Sequence, residues 1–106
     1  AGDRDHSITE IETVASSMGS LIAKLHRLNF FHPDLNLMNF LLDSKHNIHI
    51  LDLDKASVPE NLLTDEKKQQ NINRLIRSIN KQGQNANRLY VQAIVSALQS
   101  SYRGAM

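Results

Sequence analysis

Apolar residues recur at steps of three and four between residues 8 and 28, which predicts a long amphipathic helix. The sequence SITE at residues 7–10 has the form of a capping box and is expected to start this helix. The helix is expected to end near Asn29, with His26 and Arg27 in a last turn where cations are favoured. Gly19 costs a helix about 1 kcal/mol relative to Ala, so it indicates close packing at that point. The predicted apolar face consists of Ile8, Ile11, Val14, Ala15, Met18, Leu21, Ile22, Leu25 and Leu28.

The rest of the chain predicts one hairpin and two further helices. Short apolar runs at 40–42 and 48–51 flank the polar turn SKHN, which is typical of a hairpin. A second amphipathic helix is expected from about 65 to 81, before Gly83 and an Asn/Gln-rich stretch. A third follows, and the terminal SSYRGAM is expected to fray. The predicted class is α+β, mostly helical, in a single domain. The apolar positions of the last two helices are Ile72, Leu75, Ile76 and Ile79, then Leu89, Tyr90, Ala93, Ile94, Ala97 and Leu98.

Composition narrows the functional classes. Twelve basic and eleven acidic side chains give no reason to expect a nucleic-acid partner. The chain has no cysteine, so disulfides and thiolate metal sites are excluded. No apolar run approaches the roughly 20 residues needed to cross a bilayer, and no signal peptide is visible. A soluble cytoplasmic domain that can touch a membrane surface is the expectation.

The stretch FFHPDLNLMNFLLD at 30–43 is the main candidate for chemistry. Asp34 and Asn39 lie between apolar flanks, in a loop at the mouth of the predicted hairpin, and rigidly held loops often carry sites. Asp52 ends the second strand, 13 residues after Asn39, and a hairpin of that length brings its two ends together. Two hard oxygen donors meeting there would suit Mg²⁺. Asp34 is expected to face the same cavity.

HPDLNLMN followed by ILDLD resembles the catalytic and metal loops of the protein-kinase-like fold, H-R-D-L-x-x-x-N and then D-F-G. His32, Asp34 and Asn39 match the first pattern, and Asp52 matches the first Asp of the second. The chain departs from it where Pro33 replaces the Arg, where an Asn replaces the usual Lys, and where DLD replaces DFG.

These departures resemble the lipopolysaccharide core kinases, specifically the 3-deoxy-D-manno-octulosonic acid (Kdo) kinases. NINRLIRSINK at 71–81 is similar to that family's N-L-x-R-L-x-R-S-L-x-K helix, and the resemblance runs from about residue 21 to residue 81. It implies that residues 1–106 form the C-terminal lobe of a kinase-like domain, with the short hairpin at the catalytic loop. No Gly-rich phosphate loop and no V-A-I-K strand lysine is found, so the ATP-clamping N-terminal lobe is expected to be absent from this chain. Such a fragment is expected to be inactive alone.

The resemblance implies a role for each polar residue of the loop. Asp34 would accept or orient the proton of a sugar hydroxyl, because phosphoryl transfer depends more on positioning than on basicity. Asn39 and Asp52 would hold Mg²⁺ against the phosphates of ATP. Asn36 would face the transferred phosphate or steady the loop.

Two histidines and two arginines have more than one interpretation. His32 is expected to hold the loop through hydrogen bonds to backbone, and His49 to be a packed or edge residue of a strand. The histidine spacing does not suggest zinc. Arg74 and Arg77 would meet the carboxylate of an acidic sugar, or form a salt bridge that fixes their helix to the loop, to Asp54 or another acid; the salt bridge is favoured.

Two residues after Asp52 also stay open. Asp54 would support the metal ligands or cap the following segment, and its replacement of the glycine of D-F-G indicates a metal loop without a regulated flip. Lys55, like the two arginines, could meet the carboxylate of an acidic sugar or form a structural salt bridge.

The resemblance implies transfer of the ATP γ-phosphate to a Kdo hydroxyl on a lipid A precursor. Since that acceptor lies in a membrane, the enzyme would work as a peripheral protein at the cytoplasmic face of the inner membrane. Two alternatives remain: another sugar or small-molecule kinase of the same fold, and a non-catalytic pseudokinase-type interaction domain. The intact set of Asp34, Asn39 and Asp52 favours an enzyme. The number of subunits cannot be predicted.

Overall fold

The computed structural model describes residues 2–45, 47–52 and 56–106. The described elements are three helices and one antiparallel hairpin, which confirms the α+β class. They are α1 (Gly2–Arg27), a 3-10 turn (Leu37–Asn39), β1 (Phe40–Leu42), β2 (Ile48–Ile50), α2 (Asp65–Gln82) and α3 (Arg88–Ala105). Within the described residues, no helix is both long and apolar enough to cross a membrane.

Helix α1 begins before the predicted capping box, so the prediction that residues 7–10 start it was wrong. It begins at Gly2, because residues 2–6 contain no proline that would block a helix upstream of Ser7. Its other end is a Schellman motif around Asn29, which has φ 63°. The Phe30 amide donates to the Leu25 carbonyl at 2.9 Å, and the Asn29 amide to the His26 carbonyl at 3.0 Å. Helix α1 therefore ends at this motif.

Helices α1 and α3 pack in close contact and run in the same direction. Gly19 lies against the backbone of Leu98 and Tyr102, and about two turns further along α1 the Arg27 guanidinium donates to the Ala105 carbonyl. A Cβ at residue 19 would clash with the Leu98 carbonyl oxygen and would lie 3.0 Å from the Tyr102 amide nitrogen. The close packing predicted from this glycine is confirmed.

The core lies where α1, α2, α3 and the loop before the hairpin meet. Leu35, from the loop itself, is 2% exposed and belongs to this core, so burial ties the loop to the helices. The other buried apolar residues come from the three helices: Ala15, Met18, Ile22 and Ala23, then Ile72, Leu75 and Ile79, then Val91, Leu98 and Tyr102.

Helix α3 corrects the sequence prediction at two points. The terminal SSYRGAM does not fray, because α3 continues to Ala105 and its Tyr102 is only 7% exposed. The buried positions of α3 are Val91, Leu98 and Tyr102, whereas Leu89 is 68% exposed. The predicted face is confirmed in part, since Leu98 is buried and Ile94 and Ala97 pack against the core, but it wrongly included Leu89 and missed Val91.

The hairpin has the two predicted strands, but the second strand ends at Ile50, one residue earlier than expected. Phe40 pairs with Ile50 and Leu42 with Ile48. Its turn is organised by Asp43, whose Oδ1 accepts from the amides of Lys45 at 2.8 Å and Asn47 at 2.9 Å.

The second carboxylate oxygen of Asp43 contacts His49. The His49 Nε2 atom lies 2.8 Å from Asp43 Oδ2. This hydrogen bond, together with those from the turn amides, lowers the pKa of Asp43 to about 2. His49 is therefore an exposed strand residue that braces the turn.

Two glycines test the packing of α1 against α3. Gly19→Ala is expected to lower the free energy of unfolding by about 1–3 kcal/mol, because the added Cβ meets backbone atoms that cannot rotate away. Gly104→Ala is the matched control, since a Cβ there meets nothing within 4 Å, and it should raise stability by about 0.5–1 kcal/mol. Urea denaturation of both variants measures the difference. A Gly19→Ala variant as stable as the wild type would contradict the packing.

Candidate functional site

The loop before the hairpin is attached to one face of α2. The Asn71 amide Nδ2 donates to the backbone carbonyl of His32 at 2.7 Å, and Ser78 Oγ accepts from the Leu37 amide at 2.9 Å. These two helix residues are seven apart, so they lie on the same face two turns from each other. The helix thus holds the loop on both sides of Asp34.

Asp34 lies between these two attachments with its carboxylate directed outward. Arg74, one turn after Asn71, donates through Nη2 to Asp34 Oδ1 at 2.9 Å. The side chains of Asp34 and Arg74 are 53% and 49% exposed. The favoured prediction of a salt bridge from α2 to the loop region is confirmed for Arg74, with Asp34 as its partner. Arg77 is exposed and forms no ion pair with another described residue.

Inside the loop, the side chains of Asn36 and Asn39 each accept a hydrogen bond from a nearby backbone amide. Asn36 Oδ1 accepts from the Met38 amide, and Asn39 Oδ1 accepts from the Asn36 amide, both at 2.8 Å. Asn36 Nδ2 also donates to the Asp34 carbonyl at 2.9 Å. These contacts give Asn36 the loop-steadying part of its two predicted roles. A contact with phosphate stays a prediction.

The hairpin brings Asn39 and the strand end before Asp52 together. The Leu51 amide donates to the Asn39 carbonyl at 2.6 Å, and Asp52 is the next residue. Asn39 is 5% exposed, whereas Asp52 is exposed and has φ 59°. A positive φ is uncommon outside glycine, and Asp is one of the residues that tolerate it. Two of the three predicted oxygen donors thus lie at one end of the hairpin. The metal role assigned to Asn39 and Asp52 stays a prediction.

His32 links the loop to the core. It is 5% exposed, and its Nδ1 atom accepts from the Asp34 amide at 3.1 Å, which is the backbone hydrogen bond predicted for it. Since a backbone amide only donates, Nδ1 is the acceptor, and the proton of the neutral ring is on Nε2. The Nε2 atom is buried and has no hydrogen-bond partner among the described residues.

A buried polar chain, which the sequence analysis missed, continues from His32 through all three helices. Asn71 Oδ1 lies 3.1 Å from His26 Nε2, and His26 Nδ1 lies 2.6 Å from the Tyr102 hydroxyl. The His32 carbonyl can only accept, so Asn71 Nδ2 faces it and Asn71 Oδ1 faces His26. His26 therefore carries its proton on Nε2, and the Tyr102 hydroxyl donates to Nδ1. Burial raises the pKa of Tyr102 to about 12.

The sequence does contain a signal for this chain. His26 lies four residues after Ile22, and Asn71 lies four before Leu75, so both are polar residues on a buried apolar face. A buried polar side chain needs a hydrogen-bond partner, and two of them on facing helices suggest each other. Tyr102 carried no such signal because its segment was expected to fray.

A second connection runs behind the loop. Phe31 and Ser57 exchange backbone hydrogen bonds of 2.8 and 2.9 Å, so the chain returns beside the start of the loop. Asn29 holds the same returning segment: its side chain donates to the carbonyls of Pro59 and Asn61 and accepts from the Leu63 amide, the last at 2.7 Å. The predictions for Asp54 and Lys55 lie outside the described residues. Among the described residues, no three His, Cys, Asp or Glu side chains form a metal-ligand cluster.

Comparison with known proteins gives one family. The model of the lipopolysaccharide kinase (Kdo/WaaP) family matches residues 4–102. A 3-deoxy-D-manno-octulosonic acid kinase of Vibrio vulnificus is 45% identical over 65 residues, which are 61% of this chain and 26% of that protein. The kinase of the same name from Vibrio parahaemolyticus is 38% identical over 71 residues, 67% of this chain and 29% of that protein. This chain thus spans about a quarter of the length of the curated relatives it matches. No solved structure matches it.

The buried His26 gives the fold a pH dependence. Burial lowers the pKa of His26 below its usual 6.5, with Lys68 acting in the same direction and the bond to Asn71 opposing it. The unfolded chain therefore binds a proton at a higher pH than the folded chain does. Stability should be full above about pH 6.5 and should fall as the pH drops through the folded pKa, by at most about 1.4 kcal/mol per pH unit.

Urea denaturation between pH 7.5 and pH 5 measures how the free energy of unfolding changes with pH. His26→Gln should remove part of this pH dependence, whereas His49→Gln, at an exposed histidine, should keep more of it. An equal slope in the wild type and in His26→Gln would contradict the assignment.

Proposed function

Because this chain belongs to the lipopolysaccharide kinase (Kdo/WaaP) family, we propose that the protein carrying it is an ATP-dependent kinase of lipopolysaccharide biosynthesis. The acceptor is a hydroxyl group of a Kdo sugar on a lipid A precursor. Support for this acceptor comes from the name shared by the curated relatives, 3-deoxy-D-manno-octulosonic acid kinase. The reaction is transfer of the γ-phosphoryl group of ATP to that hydroxyl.

The observation that carries the proposal is the placement of Asp34. Its backbone is held by a part-buried hydrogen bond to the His32 ring and by an exposed one from the Asn36 side-chain amide, while its carboxylate is 53% exposed. Arg74 occupies Oδ1, and Oδ2 makes no hydrogen bond to a described residue. An exposed carboxylate on a fixed backbone can orient an incoming hydroxyl group. Phosphoryl transfer requires this, because its loose transition state depends on alignment more than on a strong base.

The residues at the open end of the hairpin fit a magnesium ion. The Asp52 carboxylate is exposed and is not engaged by another described residue. Asn39 Oδ1 accepts one hydrogen bond, and an amide oxygen has two lone pairs, so it keeps one for a metal. Carboxylate and amide oxygens are ligands that Mg²⁺ accepts together with phosphate oxygens. Bound there with ATP, the ion would neutralise charge on the phosphates, and Asn36 would lie toward the transferred group.

We assign these residues to the C-terminal lobe of a protein-kinase-like domain, with the ATP-clamping lobe outside them. Apolar side chains around the hairpin support this assignment: Leu41, Leu42 and Leu51 are 52%, 44% and 43% exposed. Beside them an open, largely apolar groove of about 430 Å³ runs between α1 and the hairpin. Clustered apolar surface of this kind is typical of an interface. The place of action would be the cytoplasmic face of the inner membrane, where a peripheral enzyme reaches a lipid acceptor.

A charge-removing substitution tests the function. In the full protein, Asp34→Asn is expected to lower kcat about 100-fold or more, since the isosteric amide can still contact Arg74 but cannot accept a proton. Phosphate transfer from radiolabelled ATP to Kdo–lipid A in the presence of Mg²⁺ measures the effect. Asp43→Asn is the matched control, because its amide oxygen can still organise the hairpin turn.

Two results would decide against the proposal. Turnover by Asp34→Asn equal to that of the wild type would exclude Asp34 from the chemistry. A wild-type protein that transfers no phosphate to this acceptor, and hydrolyses no ATP, would favour a pseudokinase-type interaction domain.

A further inference from the structure

The backbone of Asp34 is fixed by a hydrogen-bond chain that starts in the core, at a buried residue of α3. The chain runs from Tyr102 on α3 to His26 on α1, to Asn71 on α2, and to His32 at the loop. Its last bond joins the His32 ring to the Asp34 amide. The exposed carboxylate is thus connected to the core of all three helices.

Each polar group in this chain has one possible hydrogen-bonding role. Asn71 donates to a carbonyl on one side and accepts from an imidazole on the other, through the two different atoms of its side-chain amide. An aspartate there keeps the acceptor and loses the donor, so the His32 carbonyl would lie buried without its partner. Leaving a buried polar group unsatisfied costs more than an average hydrogen bond contributes.

His32 depends on Asn71 because its ring has no second attachment to a described residue. The Nδ1 atom accepts from the Asp34 amide, while Nε2 is buried without a partner in the part of the chain that the structure describes. Without the Asn71 bond to its carbonyl, His32 could turn toward an arrangement that satisfies Nε2. That turn would move the amide of Asp34.

Burial decides which contact holds Asp34 in place. His26, Asn71 and His32 are 3%, 3% and 5% exposed, so water does not compete for their hydrogen bonds. The Arg74 ion pair is half-exposed, and exposed pairs are weak because solvent screens them and both side chains lose freedom. The buried hydrogen bonds therefore set the position of the Asp34 backbone. The exposed ion pair with Arg74 influences only the orientation of the Asp34 carboxylate.

We propose that Asn71 is the positioning residue of this site: through His32 it fixes the backbone of Asp34, and His26 and Tyr102 fix Asn71. This inference rests on the proposed phosphotransfer role of Asp34. Asn71 does not touch the reacting groups.

The test compares two substitutions with the same charge change on one helix. Asn71→Asp is expected to raise the hydrogen-exchange rate of the Asp34 amide about tenfold or more, and to lower kcat in the full protein by a similar factor with KM for ATP nearly unchanged. Asn73→Asp is the control, since Asn73 is exposed and, among the described residues, its side chain bonds only to Gln69 on its own helix. Asn73→Asp should change neither the exchange rate of the Asp34 amide nor kcat.

Tyr102→Phe tests the distant end of the chain. It removes only the hydroxyl that donates to His26, so a smaller change in the same direction is expected at the Asp34 amide. If Asn71→Asp does not fold, Asn71→Ser replaces it, because the smaller side chain admits water beside the His32 carbonyl.

The outcomes are separable from those of the proposed function. If Asn71→Asp lowers stability while exchange at Asp34 and kcat match the Asn73→Asp control, Asn71 is structural only and the inference is overturned. If the Asp34 amide responds as expected but the wild type transfers no phosphate, the geometric claim holds and the proposed function fails.

Discussion

The hydrogen bond from the Asn71 amide to the His32 carbonyl is the contact on which the site depends. It joins an irregular loop to the helical core at a point that water does not reach. A loop usually runs over the surface because its backbone groups need solvent. Here one buried carbonyl is satisfied by a helix side chain, so the loop can enter the core while the next residues stay outside. The exposed Asp34 carboxylate lies two residues from this anchor.

This arrangement separates two needs of a catalytic loop. The backbone must be rigid, which calls for burial and satisfied hydrogen bonds, and the reactive group must be open to substrate. The loop meets both because burial alternates along it: His32 and Leu35 point into the core, and Asp34 points out. The proline between His32 and Asp34 also fixes one backbone angle and removes a donor that would otherwise need a partner.

The sequence predicted the elements that follow from local periodicity and missed those that depend on contacts between elements. Helix α2 and the two strands of the hairpin came from apolar spacing and turn residues, which are properties of the local chain. The start of α1 was wrong because a capping-box pattern is permitted inside a helix as well as at its end. The burial of Tyr102 was missed because it depends on a histidine 76 residues earlier in the chain. Of the site, Asp34, Asn39 and Asp52 could be singled out by motif and spacing. His26 and Asn71 beneath them were missed although they lie on apolar helix faces, since a polar residue on a helix is ordinarily assigned to solvent.

The end of helix α1 has a consequence for how the chain can vary in length. Asn29 turns the backbone at the Schellman motif and also holds three backbone groups of the segment from Pro59 to Leu63. One short side chain spans this gap, so the segment cannot gain or lose a residue without releasing the bonds. The hairpin turn is held in a similar way by Asp43, whose side chain binds the amides of Lys45 and Asn47. In the described structure, the connection between α2 and α3 carries no side-chain hydrogen bond to another element. Insertions and deletions among homologous sequences should therefore accumulate between α2 and α3 and be excluded from the stretch between Ser57 and Thr64.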